Sequence, residues 1–201
     1  MVAAAAAAVV VTVAIAIAAV AAAHDVISRS HKEDPMPFKA GDFIVHPTYG
    51  VGNIVRLEEK RLAEDQPRWY YVVVVDKSTL WVPVDENHGA GLRAVTPKKE
   101  LDRYRAVLKG QPGALERDHN KRRLLINERV KHGSFQSLCE AVRDLSAQSW
   151  KRPLSEADLT LLQRLSHSLC REWAASASVP LPDATAEVQA LLQAAKQTYK
   201  V

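Results

Sequence analysis

Cysteine is scarce in this chain, and the two present have no close partners. Cys139 and Cys170 stand far apart, without a CxxC neighbour or a histidine at ligand spacing. Neither a disulfide framework nor a structural zinc site is therefore expected, and both read as small buried hydrophobes in a reducing compartment such as the cytoplasm. The chemistry-bearing motifs are missing too. There is no GxxxxGK[ST] phosphate loop, no HExxH pair and no GxSxG elbow, and the seven histidines are scattered. Acidic residues form no evident two-carboxylate site. The expectation is a protein that is not an enzyme, with no cofactor, no metal and no small-molecule substrate.

A strong net charge is also lacking: the formal value is +4 and the pI about 9.1. The distribution matters more. Residues 97–131 hold 11 Lys and Arg (Lys98, Lys99, Arg103, Arg105, Lys109, Arg117, Lys121, Arg122, Arg123, Arg129 and Lys131) against 5 Asp and Glu. Residues 153–201 hold 4 basic and 5 acidic groups. A local positive field of this kind favours a polyanion partner, and solvated helix faces are the competing explanation.

Residues 1–35 form an Ala/Val-rich extension. Its stretch 2–23 has no charge, proline or glycine and is long enough to span a bilayer as a helix. No Lys or Arg precedes it, which weakens a signal peptide, and alanine is a poor membrane residue. Met36 stands just before the first folded module and would serve as an initiator. A mis-assigned start, a membrane anchor and a cleaved signal all remain open.

From Phe38 the texture becomes that of short strands. Phe43-Ile44-Val45 leads into a turn at His46-Pro47-Thr48-Tyr49-Gly50, and a second strand runs from Val51 to Leu57. Gly52 within it marks a bulge or a close backbone approach. Residues 68–75 (RWYYVVVV) and 79–84 (TLWVPV) are rich in β-branched and aromatic side chains and bounded by polar turns. A module at 36–96 is expected to be a small, strongly bent antiparallel sheet, SH3-like or Tudor-like. Alternation sets Trp81 on the face opposite Leu80 and Val82, so only one of the two sets can face the core.

Phe38-Lys39-Ala40-Gly41-Asp42, the turn His46-Pro47-Thr48-Tyr49-Gly50-Val51-Gly52, Val82-Pro83-Val84 and Gly91-Leu92-Arg93 occur in order. Together they resemble the polymerase-interacting module of CarD-type transcription regulators, which the transcription-repair coupling translocase shares. The resemblance implies docking on the β subunit of bacterial RNA polymerase, largely strand to strand. By position it assigns polymerase contacts to Lys60, with Arg61 beside it, and to Trp81, where some relatives carry arginine.

Residues 97–201 read as a compact five-helix bundle, giving an α+β fold. Thr96-Pro97 is expected to cap a first helix with Leu101, Tyr104 and Leu108 inward. A second helix is expected from about Ala114 to Lys131, and a third capped by Ser134 with Phe135, Leu138, Cys139, Val142 and Leu145 inward. The fourth opens at Ser155, with Leu159, Leu162, Leu165 and Leu169 inward, and the last spans about Ala184 to Tyr199.

Val142-Arg143-Asp144-Leu145 and Leu154-Ser155-Glu156 are similar to the C-terminal domain of the same regulators, and the resemblance reaches residue 196 or so. It implies a monomer whose bundle contacts promoter DNA at the upstream edge of the transcription bubble. A tryptophan in the family is wedged against the minor groove there, and its position falls on His119. The implied DNA contacts are His119, Lys121, Arg122 and Arg123, with Lys151 and Arg152 as a second phosphate patch. Trp150 is a candidate substitute wedge, or else caps the core. The competing reading is a Tudor-like protein-interaction module, soluble or membrane-tethered, that makes no DNA contact.

Overall fold

A computed structural model describes residues 38–61, 67–84, 91–131 and 134–199. The Ala/Val-rich segment and Met36 lie outside the described residues, so their reading stands as an expectation. No described helix is long and apolar enough to cross a membrane.

Among the described residues five antiparallel strands come first: β1 (Phe43–His46), β2 (Gly50–Lys60), β3 (Arg68–Val75), β4 (Ser78–Pro83) and β5 (Arg93–Ala94). Their order in the sheet is β4-β3-β2-β1-β5. The fifth strand, two residues long, was not legible from its sequence. One face of the sheet carries Ile44, Ile54, Tyr71, Val73, Val75, Val82 and Leu92, which form the module's core. Phe38 closes over it, its ring edge-on to Tyr71 at 6.1 Å.

The turn motif works through local hydrogen bonds. His46 Nδ1 accepts from the backbone N–H groups of Thr48 (3.1 Å) and Tyr49 (3.3 Å), while Gly50 supplies the positive φ of 77° that returns the chain into β2. Gly52 is a close approach. A Cβ there would lie 2.6 Å from Val73 Cγ1 and 2.7 Å from Val75 Cγ2. The register irregularity sits instead between Ile54 and Arg56, which leaves Val55 as the extra residue. Gly52→Ala is expected to cost about 1–3 kcal/mol by overpacking the sheet, measured as a drop in the urea midpoint at unchanged m-value.

After a single 3₁₀ turn (Lys98–Glu100) follow α1 (Leu101–Lys109), α2 (His119–Lys131), α3 (Phe135–Lys151), α4 (Glu156–Ala177) and α5 (Leu181–Tyr199). They enclose one core around Leu108, Ile126, Phe135, Val142, Leu145, Leu169 and Trp173. Several expected details are corrected. Thr96 caps nothing: it is buried, and its hydroxyl donates to Glu172 Oε1 at 2.9 Å. The second helix starts at His119, because the Asp118 carboxylate accepts from Lys121 N–H at 2.7 Å and caps it there. Ser134 holds the cap position of α3 with an extended backbone, but its side chain makes no capping bond. Ser155 does cap α4, accepting from Asp158 N–H at 3.2 Å.

The inward stripe of α4 also differs. Leu159 is 46% exposed and Leu161 takes the inward place, so the stripe runs Asp158, Leu161, Leu165, Leu169, Glu172 and Ser176. That spacing is helical throughout. Two of its members are carboxylates, which hydrophobic periodicity alone reads as solvent positions.

Candidate interaction surfaces

The sheet's second face is divided. At its β1–β2 end Phe43 and Val51 line a groove with Arg171, Ala174, Ala175 and Val179 of the α4 end. At the β3–β4 end the strand register sets Arg56, Val72 and Trp81 in one row and Glu58, Tyr70 and Pro83 in the next. Trp81 is 43% exposed here, whereas Val82 is buried in the core. The alternation of β4 is thus resolved with tryptophan outward. Val72 lies fully buried on the same face, in the row of Trp81.

Lys60 and Trp81 come together, with the Lys60 ammonium 4.4 Å from the ring centroid of Trp81. A cation over an indole face gains about 0.5–1 kcal/mol at an exposed site. Glu58 pairs with Arg56 at 2.9 Å. Its carboxyl is drawn below the ordinary range, first by the Arg56 hydrogen bond and, against some desolvation, by Trp81 and Lys60 as well. Arg61 follows at the exposed end of β2. Arg56 and Glu58 were missed as neighbours of the site; the alternation through 56, 58 and 60 was the signal that could have found them.

β4 is also an edge, with β3 on one side and no strand on the other among the described residues. Val84 N–H donates to Trp69 O at 2.8 Å, continuing the β3–β4 register. Hydrogen-bonded pairs alternate along an antiparallel ladder, so Tyr71–Val82, Val73–Leu80 and Val75–Ser78 bond across it. Thr79, Trp81 and Pro83 then turn their backbone groups to the open edge. Pro83 lacks an N–H, and its place on the outer side of an edge strand costs the ladder nothing.

The second candidate surface is the start of α2. His119 stands at its tip, mostly exposed. Lys121 is exposed, with its ammonium 3.2 Å from Glu116, and Arg123 is half-buried beside Asn120. Lys151 and Arg152 are exposed at the end of α3. Arg152 precedes Ser155 by three residues, a reach of about 11 Å at most. Ser155 in turn bonds Asp158, which holds Arg122. The two basic groups therefore share one end of the bundle.

Arg122 does not belong with them. It is 2% exposed, and its guanidinium pairs with the buried Asp158 while donating to Glu116 O at 2.7 Å and Arg117 O at 3.3 Å. A phosphate has no access to it, so its expected role as a DNA contact is replaced by that of a clamp between α2 and α4. The same guanidinium lies 2.7 Å from His119 Nδ1. Burial works to raise the Asp158 carboxyl, but the Arg122 and Ser155 hydrogen bonds outweigh it and hold the group below its ordinary value.

Trp150 is half-buried and lines a groove with Ser146 and Ser149 of its own helix and Ala186, Gln189 and Ala190 of α5. Arg143 and Asp144, two residues of the Val-Arg-Asp-Leu motif, are structural. Arg143 donates to Val107 O at the end of α1, and Asp144 accepts from Gly113 N–H at 2.8 Å. No group of three or more His, Cys, Asp or Glu able to hold a metal occurs among the described residues.

Two family models match the chain in tandem. The CarD-like/TRCF RID domain covers residues 38–96, and the CarD C-terminal domain covers residues 104–189. The boundary between them falls where the structure passes from sheet to helices. The chain is also 28% identical over 138 residues to a Bacillus subtilis (strain 168) protein named "Putative transcription factor YdeB". That match spans 67% of this chain and 89% of the relative.

Proposed function

The chain belongs to the CarD family, and we propose that it regulates transcription by docking on the β subunit of bacterial RNA polymerase while its bundle contacts promoter DNA at the upstream edge of the bubble. The observation that carries this reading is the β4 edge, unpaired among the described residues, with Trp81 exposed beside Lys60. An incoming strand can pair at Thr79 and Trp81 through main-chain hydrogen bonds, while the indole supplies an apolar anchor. Strand addition ends at Pro83, which has no N–H to give. The test is a titration of the isolated β-subunit lobe with the full chain. Micromolar or tighter binding supports the docking half, and no binding at that concentration removes it.

On the DNA side the contacts are His119, Lys121, Arg123, Lys151 and Arg152. Phosphate contacts by Lys and Arg release counterions, so affinity falls with salt at a slope of about 0.9 per contact. Lys151→Ala with Arg152→Ala is expected to reduce that slope by about 2, measured on polymerase-bound promoter complexes between 50 and 200 mM salt. An unchanged slope excludes this pair from DNA. His119 is smaller than the tryptophan wedge of its family, and a weaker hold on the opened duplex follows. Equal promoter opening by His119→Ala and the wild type would take His119 out of the mechanism.

Tethering makes this economical. Once the sheet is docked, the DNA contact is intramolecular and modest intrinsic affinity suffices. A contact favouring the open complex by about 1.4 kcal/mol shifts the closed-to-open equilibrium tenfold. An interaction module without DNA contact is the alternative, and an absent salt response would favour it.

A further inference from the structure

Two adjacent residues of α4 hold the sheet to the bundle, and they reach in different directions. Glu172 is 1% exposed. Its Oε1 accepts from Arg93 Nη1 at 2.6 Å and from the Thr96 hydroxyl at 2.9 Å, and its Oε2 accepts from Arg93 Nη2 at 2.7 Å. Arg93 lies on β5, paired with Val45 of β1, and Thr96 begins the connection to the helices. One carboxylate thus grips the last strand of the sheet and the connector leaving it. Arg171 reaches elsewhere: it pairs with Asp76 in the β3–β4 turn and donates to Val51 O on β2 at 3.1 Å.

A single contact between two bodies is a pivot. Two contacts on different strands fix an orientation. A bidentate Arg–carboxylate pair is directional as well as strong. Its net stabilisation is small once desolvation is counted, since apolar replacements of buried ion pairs are often neutral or better. Geometry, more than stability, is what such a pair supplies here.

We propose that Glu172 is a positioning residue: with Arg93 and Thr96, and with Arg171 as the second anchor, it sets the angle between the outer face of β4 and the basic tip of α2. The consequence for transcription rests on the reading above; the rigidity does not. A partner docked on β4 meets α2 at one fixed place, and loss of the joint leaves both contacts intact while separating their effects.

The test uses spin labels on the full chain at Thr79→Cys and Lys131→Cys, both exposed positions. The native Cys139 and Cys170 are buried and their thiols are pushed up by desolvation, so they resist labelling. A single narrow distance distribution is expected for the parent and a distribution at least twice as wide for Glu172→Gln, with far-ultraviolet dichroism unchanged. An equally narrow distribution in Glu172→Gln overturns the proposal. Should that variant fail to fold, Arg93→Lys, which keeps the charge and loses the fork, decides by the same criterion. In polymerase–promoter complexes Glu172→Gln is expected to lose at least tenfold of the gain from combined binding, with lobe binding alone unchanged. If the parent itself shows no such gain, the regulatory reading fails, and the label distances still decide the role of Glu172.

Discussion

Arg122→Ala is expected to destabilise the protein by about 3–5 kcal/mol, the cost of leaving one partner of a buried ion pair behind. The neighbouring Arg123→Ala is expected to stay within about 0.5 kcal/mol of the parent, as surface changes do, and to lower DNA affinity instead. Urea denaturation of the two variants separates these outcomes. Equal midpoints would return Arg122 to the surface. The large cost follows from Asp158, whose residue is fully buried and whose charge Arg122 balances. It follows too from the backbone of 116 and 117, which Arg122 holds against the start of α2.

The difference should depend on pH in a fixed direction. Asp158 is held below its ordinary value in the folded protein, and an unfolded aspartate titrates near 3.9. The contribution of the pair is therefore complete above about pH 4 and is lost as pH falls through the lowered folded value. Without Arg122 the main force depressing the carboxyl is gone and burial acts to raise it. The stability gap between parent and Arg122→Ala should narrow on acidification from pH 7 to 3. A gap that stays constant would show that Asp158 titrates alike in both.

Trp81→Ala is expected to weaken binding to the β-subunit lobe by about 30-fold or more, the loss of about 2 kcal/mol typical of a buried aromatic anchor. Its effect on folding should be much smaller, about 1 kcal/mol, because the residue is 43% exposed and lies outside the core of the sheet. Isothermal titration and a urea melt on the same variant give both numbers. A stability loss larger than the binding loss would return Trp81 to a core role. Lys60→Ala should cost less at the interface, since it removes only the cation above the ring.

Much of this arrangement can be read along the chain. Leu80, Trp81 and Val82 alternate, and the strand period alone separates tryptophan from its neighbours; only the sheet decides which set turns inward. Leu101, Tyr104 and Leu108 repeat at helical spacing and are buried accordingly. The fourth helix is expected to open at Ser155, and Ser155 caps it there. Gly52 reads as a bulge or a close approach; the bulge lies further on, between Ile54 and Arg56, and the side chains of Val73 and Val75 are what Gly52 approaches. These signals are legible because each arises between residues near in sequence or from the period of one element.

The cationic segment shows the limit. His119, Lys121, Arg122 and Arg123 look equivalent in a string of polar residues, yet one of them is sealed inside the bundle. Nothing local marks Arg122, because its partner Asp158 lies 36 residues on. Glu172 meets Arg93 across 79 residues, and Asp144 meets Gly113 across 31. A carboxylate on an inward stripe is stable only once packing delivers a matching donor. The sequence by itself determined the first four strands, the helical bundle and the family resemblance. The tertiary structure alone decided which arginines bind the fold together and which remain free to meet a partner, because burial of a charge is settled by what the packed helices bring beside it.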